Sequence, residues 1–221
     1  MYIRCSLLLL NYLTCYGLVY ISLILFDDCV WAAMLLMFFT FFRQSNVLPL
    51  SASQFDPSKQ LSQSSISLYS DFMVVKVTWS KTIQFSQKTF FVPIAAVSGS
   101  NLCPVSAYRS LLDLVPIAPC NSAFCYLSHG NPVILTYTAF VKQFRIWLSE
   151  LGLSPNMFSC HSFRRGGATW AFQSGVPDII IKAQGDWSSD CYMRYSNFSI
   201  ADRLVASVKM SKSISDIKLK F

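Results

Sequence analysis

The stretch "CHSFRRGGATWAFQSG", residues 160–175, sets a histidine three positions before an arginine, with a second arginine and two glycines behind it. Residues three apart share a helix face, so a helix here turns His161 and Arg164 the same way, near its first turn. A helix N-terminus favours an anion. A guanidinium adds a fork that matches two phosphate oxygens. Gly166 and Gly167 leave the next turn bare, so another element or a nucleic-acid backbone can approach closely. By itself this pattern also describes a helix with an ordinary solvated basic face.

The rest of the chain narrows the choice. It has 221 residues, enough for one domain with a real core. Lys and Arg number 18 against 11 Asp and Glu, a net charge of +7 that suits a polyanionic partner, nucleic acid or membrane surface. Only two histidines and eight cysteines without CxxC spacing argue against a zinc site. The cysteines read as small buried apolar residues of a reducing compartment.

The N-terminus poses its own question. Residues 7–26 carry no charge, which is long enough to span a bilayer. Residues 29–42, "CVWAAMLLMFFTFF", are too few to do so and read as a buried helix. Asp27-Asp28 are expected to separate the two runs. Downstream, 43–71 is polar, Ser-rich and broken by proline, and reads as a helix end followed by a long connection. "FMVVKVTW", 72–79, and "TFFVPI", 89–94, are strands, paired as a hairpin with a loose tip. Helices are expected at 103–115, with Pro104 near the start, and at 136–152, capped by Thr136 and closed by Gly152. Ala139, Phe140, Phe144, Trp147 and Leu148 share one stripe of the latter. Further helices are expected at 160–174, 177–184, 188–196 and 200–212. The expected class is α+β, mainly α, with a small antiparallel sheet inserted among helices.

Downstream of the opening stretch, "QGDWSSDCYMRYSNF", 184–198, places Tyr195 ten residues after Gly185 and thirty-one after Arg164. HxxR followed by a glycine-led Trp-Ser stretch and a tyrosine resembles the tyrosine recombinase (phage integrase) family, and among its members those of eukaryotic mobile elements. "FFRQSNVLPL" resembles the family's segment for its first catalytic arginine, which is Arg43 here. "VTWSKTIQ" resembles the segment for its catalytic lysine, which is Lys81, with Lys88 as the alternative. "FFVPI" matches the returning strand. The resemblance covers roughly 28–200 and implies the tyrosine-recombinase catalytic-domain fold. It divides the chain into an apolar N-terminal segment 1–27, a catalytic domain 28–200 and a C-terminal helix and basic tail 201–221.

The resemblance also implies a chemistry: DNA strand cleavage and rejoining with no metal and no other cofactor. Tyr195 is the expected nucleophile, with Tyr192 as its neighbouring competitor. Arg43 and Arg164 are expected to grip the non-bridging oxygens, Lys81 to protonate the leaving oxygen, and His161 to accept the tyrosine proton or hold the phosphate. Where many members carry a histidine or tryptophan nine residues before the tyrosine, this chain has Asp186, which would repel a phosphate. Trp187 follows and is the candidate indole donor. His129 is expected in a surface turn, and Trp79, Trp147 and Trp170 in the core. The partners implied are double-stranded DNA and further copies of the chain, with Leu204, Val205 and Val208 on a docking tail. No small-molecule substrate is implied, a membrane span is disfavoured, and the location implied is the nucleus or another DNA-containing compartment. The family's N-terminal DNA clamp has no counterpart in the sequence, which suggests a partial reading frame or a decayed element. A catalytically inactive relative that binds duplex DNA is the alternative reading, and a small membrane protein is the third.

Overall fold

The computed structural model describes residues 24–79, 89–115 and 118–187. Its centre is α1 (Ile24–Thr40), a helix apolar on every side. Such a helix must be buried in protein or in lipid, and here protein surrounds it: Cys29, Val30 and Ala32 through Phe38 are all buried. Packed most extensively on it are α3 (Pro104–Leu114), α4 (Tyr137–Glu150), α5 (His161–Gln173) and β4 (Cys125–Ser128). Asp27 and Asp28 do not interrupt the apolar run; they lie half-buried inside α1. Partial desolvation raises both carboxyls above their ordinary value, and Asp28 and Glu150 push Asp27 further. Among the described residues no helix is long and apolar enough to cross a membrane. Most of the uncharged run 7–26 lies outside them.

The helices expected at 103–115, 136–152, 160–174 and 177–184 are present, and those expected at 188–196 and 200–212 lie outside the described residues. α3 has Pro104 at its first position, and the Cys103 sulfur accepts from the Ser106 N–H as a cap. α4 is capped by the Thr136 hydroxyl, which accepts from the Ala139 N–H, and the chain turns away at Gly152. Its stripe is inward, with Phe140, Phe144 and Leu148 buried and Ala139 and Trp147 packed against the core. Phe163 of α5 stands edge-on to Phe140 at 6.0 Å and 5.0 Å from Phe144. α6 (Asp178–Gln184) follows after a short turn. Trp170 also packs on the core, and Trp79 is half-buried.

The stretch 43–71 is more than the long connection expected of it. It forms α2 (Gln44–Val47), two single 3-10 turns and a strand, β1 (Ile66–Leu68). The hairpin of β2 (Phe72–Val77) and β3 (Phe90–Ala95) therefore has a third member, in the antiparallel order β1-β2-β3. Ile66 pairs with Val75, which pairs in turn with Val92. Three residues of Ser-rich chain carry no strand signal of their own, and β1 exists because β2 offers it an edge. Alternation puts Met73, Val75, Val77, Val92 and Ile94 inside. Pro93 fits because β3 is an edge strand.

A second hairpin, β4 with β5 (Asn131–Ile134), was not anticipated. Its turn residues His129 and Gly130 both have positive φ, 50° and 79°, the handedness that suits a two-residue hairpin. His129 is exposed in that turn, as expected. Of the five described cysteines, Cys29, Cys103, Cys125 and Cys160 are buried thiols, and Cys120 is the exposed exception. Burial pushes the Cys125 thiol up to about 11 and that of Cys160 to about 12.

Candidate functional site

Three of the six candidate residues gather where α1 ends and α5 begins. Arg43 stands at the start of α2, three residues past the end of α1, and is half-buried. His161 opens α5 with an exposed ring, and Arg164 lies one turn on, only 4% exposed. Their charges are close enough to act on one another. Partial desolvation lowers the His161 pKa below its ordinary value, and the positive charges of Arg164, Arg43 and Arg165 lower it further. The imidazole is therefore neutral at physiological pH.

That shift carries a stability consequence. An unfolded His161 takes its proton near pH ~6.5, and the folded one does so at lower pH. The unfolded state thus gains the proton first as pH falls. Stability should decline from about pH 6.5 downward and level off below the folded value. Thermal melts at pH 7.5 and 5.5 check this, and His161→Gln should flatten the slope.

Arg164 is held from three directions. One terminal nitrogen donates to the Phe41 carbonyl and the other to the Gly185 carbonyl at 2.9 Å. Its guanidinium carbon lies 3.9 Å from the centre of the Trp187 ring, a cation–π contact in a desolvated place. Trp187, the fourth described candidate, is itself 6% exposed and turns its ring face to Arg164.

Asp186 has a local explanation. α6 closes with the Trp187 N–H donating to the Lys182 carbonyl and the Asp186 N–H to that of Ala183. This double closure requires a left-handed residue between cap and exit, and Asp186 supplies it at φ 49°. Aspartate tolerates that conformation better than most side chains. Asp186 thus meets a turn requirement at this position. The closure folds Trp187 back over Gly185, where a Cβ would stand 1.7 Å from the indole carbons.

Gly167 is the second close approach. A Cβ there would stand 2.0 Å from the Phe38 carbonyl oxygen and 2.8 Å from a ring carbon of Phe41. The bare turn anticipated in α5 is thus occupied by the end of α1. This closeness brings Arg43 and Arg164 to one place.

Two residues outside the candidate set shape the site. Phe41 sits at φ 57°, a left-handed conformation that costs about 1–2 kcal/mol in a residue with a Cβ. No sequence signal marks such a residue. Asn46 is buried and donates from its side-chain nitrogen to the Trp79 carbonyl at 2.9 Å. That bond ties the segment after Arg43 to the outgoing end of β2. Lys81 and Lys88 fall beyond it, outside the described residues, as do Tyr192, Tyr195 and the tail with Leu204, Val205 and Val208.

No family model matches the sequence, and no curated protein matches it. Solved structures do match its fold. The XerH site-specific recombinase bound to its difH substrate, before cleavage, has a TM-score of 0.59 at 15% identity, covering 90% of this chain and 51% of that one. Its complex after cleavage of a palindromic difH substrate gives 0.60 at 16%, covering 95% and 52%. The Tn1549 transposon integrase in complex with circular intermediate DNA gives 0.51 at 12%, covering 89% and 61%. The chain spans about half the length of the XerH recombinase it matches. The fold is that of the tyrosine-recombinase catalytic domain, mostly helical with a small antiparallel sheet.

Proposed function

We propose that this chain, on its tyrosine-recombinase fold, breaks and rejoins DNA through a 3′-phosphotyrosyl intermediate, with residues 28–200 as the catalytic unit. The observation that carries the reading is the convergence of Arg43, His161 and Arg164 at the junction of α1 and α5. They come from segments more than a hundred residues apart, and on this fold two guanidiniums and a neutral imidazole share one region. The net charge of +7 suits a DNA partner. DNA is also what the XerH and Tn1549 proteins hold in their complexes.

In this reading the Tyr195 hydroxyl attacks the scissile phosphorus, and the bond from phosphorus to the 5′-oxygen breaks. A covalent intermediate divides one hard step into two easier ones and keeps the bond energy for rejoining. His161, neutral at physiological pH, takes the tyrosine proton. Lys81 gives a proton to the departing 5′-oxygen. Arg43 and Arg164 stabilise the charge that builds on the non-bridging oxygens. Trp187 backs the Arg164 guanidinium from its ring face. Origin in a eukaryotic mobile element, action in the nucleus or another DNA-containing compartment and assembly of several copies on DNA complete the proposal.

The test is a duplex nicked just downstream of the cleavage site, so that the short downstream fragment, released with a free 5′-hydroxyl, diffuses away and the adduct accumulates. Randomised target sequences supply the unknown site. A covalent protein–DNA species, digested and mapped by mass spectrometry, should carry its nucleotide on Tyr195. Linkage at Tyr192 would reassign the nucleophile. Absence of any adduct, with duplex binding that still weakens steeply with salt, would leave an inactive DNA-binding relative.

A further inference from the structure

We infer that Phe41 is a positioning residue that sets Arg164 in register with Arg43. It meets Arg164 by two routes. Its carbonyl accepts a hydrogen bond from one terminal nitrogen of Arg164. Its ring lies 6.1 Å from that of Trp187, tilted 35°, and Trp187 carries the Arg164 guanidinium on its face. Phe41 is 4% exposed and, with Ala168, Ile181 and Trp187, forms a small apolar cluster of its own behind the arginine.

The backbone makes the second half of the argument. α1 ends at Thr40, whose hydroxyl bonds back to the Leu36 carbonyl and accepts from the Phe42 N–H. Phe41 then takes φ 57°, so the helical path is broken one residue after the helix and two before Arg43. The same residue whose carbonyl Arg164 holds therefore redirects the chain that leads to Arg43. Strained conformations of this kind persist where the surroundings over-determine them, and they cluster at functional sites. The bond to Arg164, the ring contact with Trp187 and the packing among Ala168, Ile181 and Trp187 are that over-determination.

For its activity readout this inference rests on the proposed strand cleavage; for its structural readout it does not. Phe41→Gly keeps the carbonyl and relieves the left-handed strain, but removes the ring. Phe41→Leu keeps apolar bulk without an aromatic face, and decides the matter if the glycine variant does not fold. With nicked duplex, the variant should bind DNA with unchanged affinity and form the covalent adduct about a hundredfold more slowly, the scale of a small misplacement of a reacting group. A variant that cleaves at the unaltered rate overturns the inference. So does one whose adduct loss is matched by an equal loss of affinity, since that is a structural effect on the whole surface. If the unaltered chain forms no adduct, the strand-cleavage reading fails, and Phe41 is judged by NMR. A sharp, slowly exchanging Arg164 side-chain N–H signal that broadens in the variant upholds the inference, and an unchanged signal overturns it.

Discussion

Replacing Arg164 by alanine is expected to abolish covalent DNA adducts and to lower stability at once. Arg164 is 4% exposed and donates to two carbonyls, those of Phe41 and Gly185. Charge-assisted bonds of this kind contribute about 1.5–3 kcal/mol each, and their loss leaves buried acceptors behind. A loss of about 3 kcal/mol is therefore expected, together with a looser Trp187, whose ring sits 3.9 Å from the guanidinium. In catalysis, removing one preorganised donor from a developing charge costs about 10²–10³ in rate. Loss of the whole charged fork should reach the detection limit of an adduct assay. Arg164→Lys separates the two effects. It keeps the charge but cannot span two carbonyls and a phosphate with a planar fork. It should recover part of the stability in a denaturant melt and little of the adduct. Full activity in the lysine variant would remove Arg164 from the proposed chemistry.

The second large effect is expected at Gly167. Adding a single methyl group places a Cβ 2.0 Å from the Phe38 carbonyl oxygen, a contact with backbone that no rotamer can relieve. α5 must then move off α1. Overpacking of a core typically costs about 1–3 kcal/mol, and a clash with main chain lies at the upper end. Gly167→Ala should lower the melting temperature measurably, and Gly167→Val should prevent folding. The separation of α1 from α5 also separates Arg43 from Arg164, so any folded Gly167→Ala protein should cleave poorly. A Gly167→Ala protein with unaltered stability would mean the helices are less tightly apposed than the structure places them.

Much of this protein is legible along the chain. The all-round apolarity of 29–42 points to burial, and the structure buries it, though the helix runs from Ile24 to Thr40 and leaves Phe41 and Phe42 beyond its end. The cap at Thr136, Pro104 near the start of α3, the stripe of α4 and the β-branched and aromatic residues of β2 and β3 are local signals, and each leads to the element found. Local signals work there because capping and periodicity act within one or two turns of chain. The HxxR spacing likewise sets His161 and Arg164 at the start of one helix with no reference to the rest of the fold.

Long-range contact decided the remainder. β1 is three residues of a serine-rich stretch, and only pairing with β2 makes it a strand. The left-handed turn at Phe41 follows from no preference of phenylalanine; Arg164, 123 positions later, donates to its carbonyl. Asp186 reads as a repulsive charge beside a phosphate until the closure of α6 shows what its backbone does. The sequence by itself determined the segments that form α3, α4, α5 and α6, the hairpin of β2 and β3 and the residue types the proposed chemistry would need. Only the tertiary structure decided that Arg43 and Arg164 share one place, because their approach depends on a glycine on α5 meeting a backbone carbonyl of α1, and no local rule couples two helices so far apart in the chain.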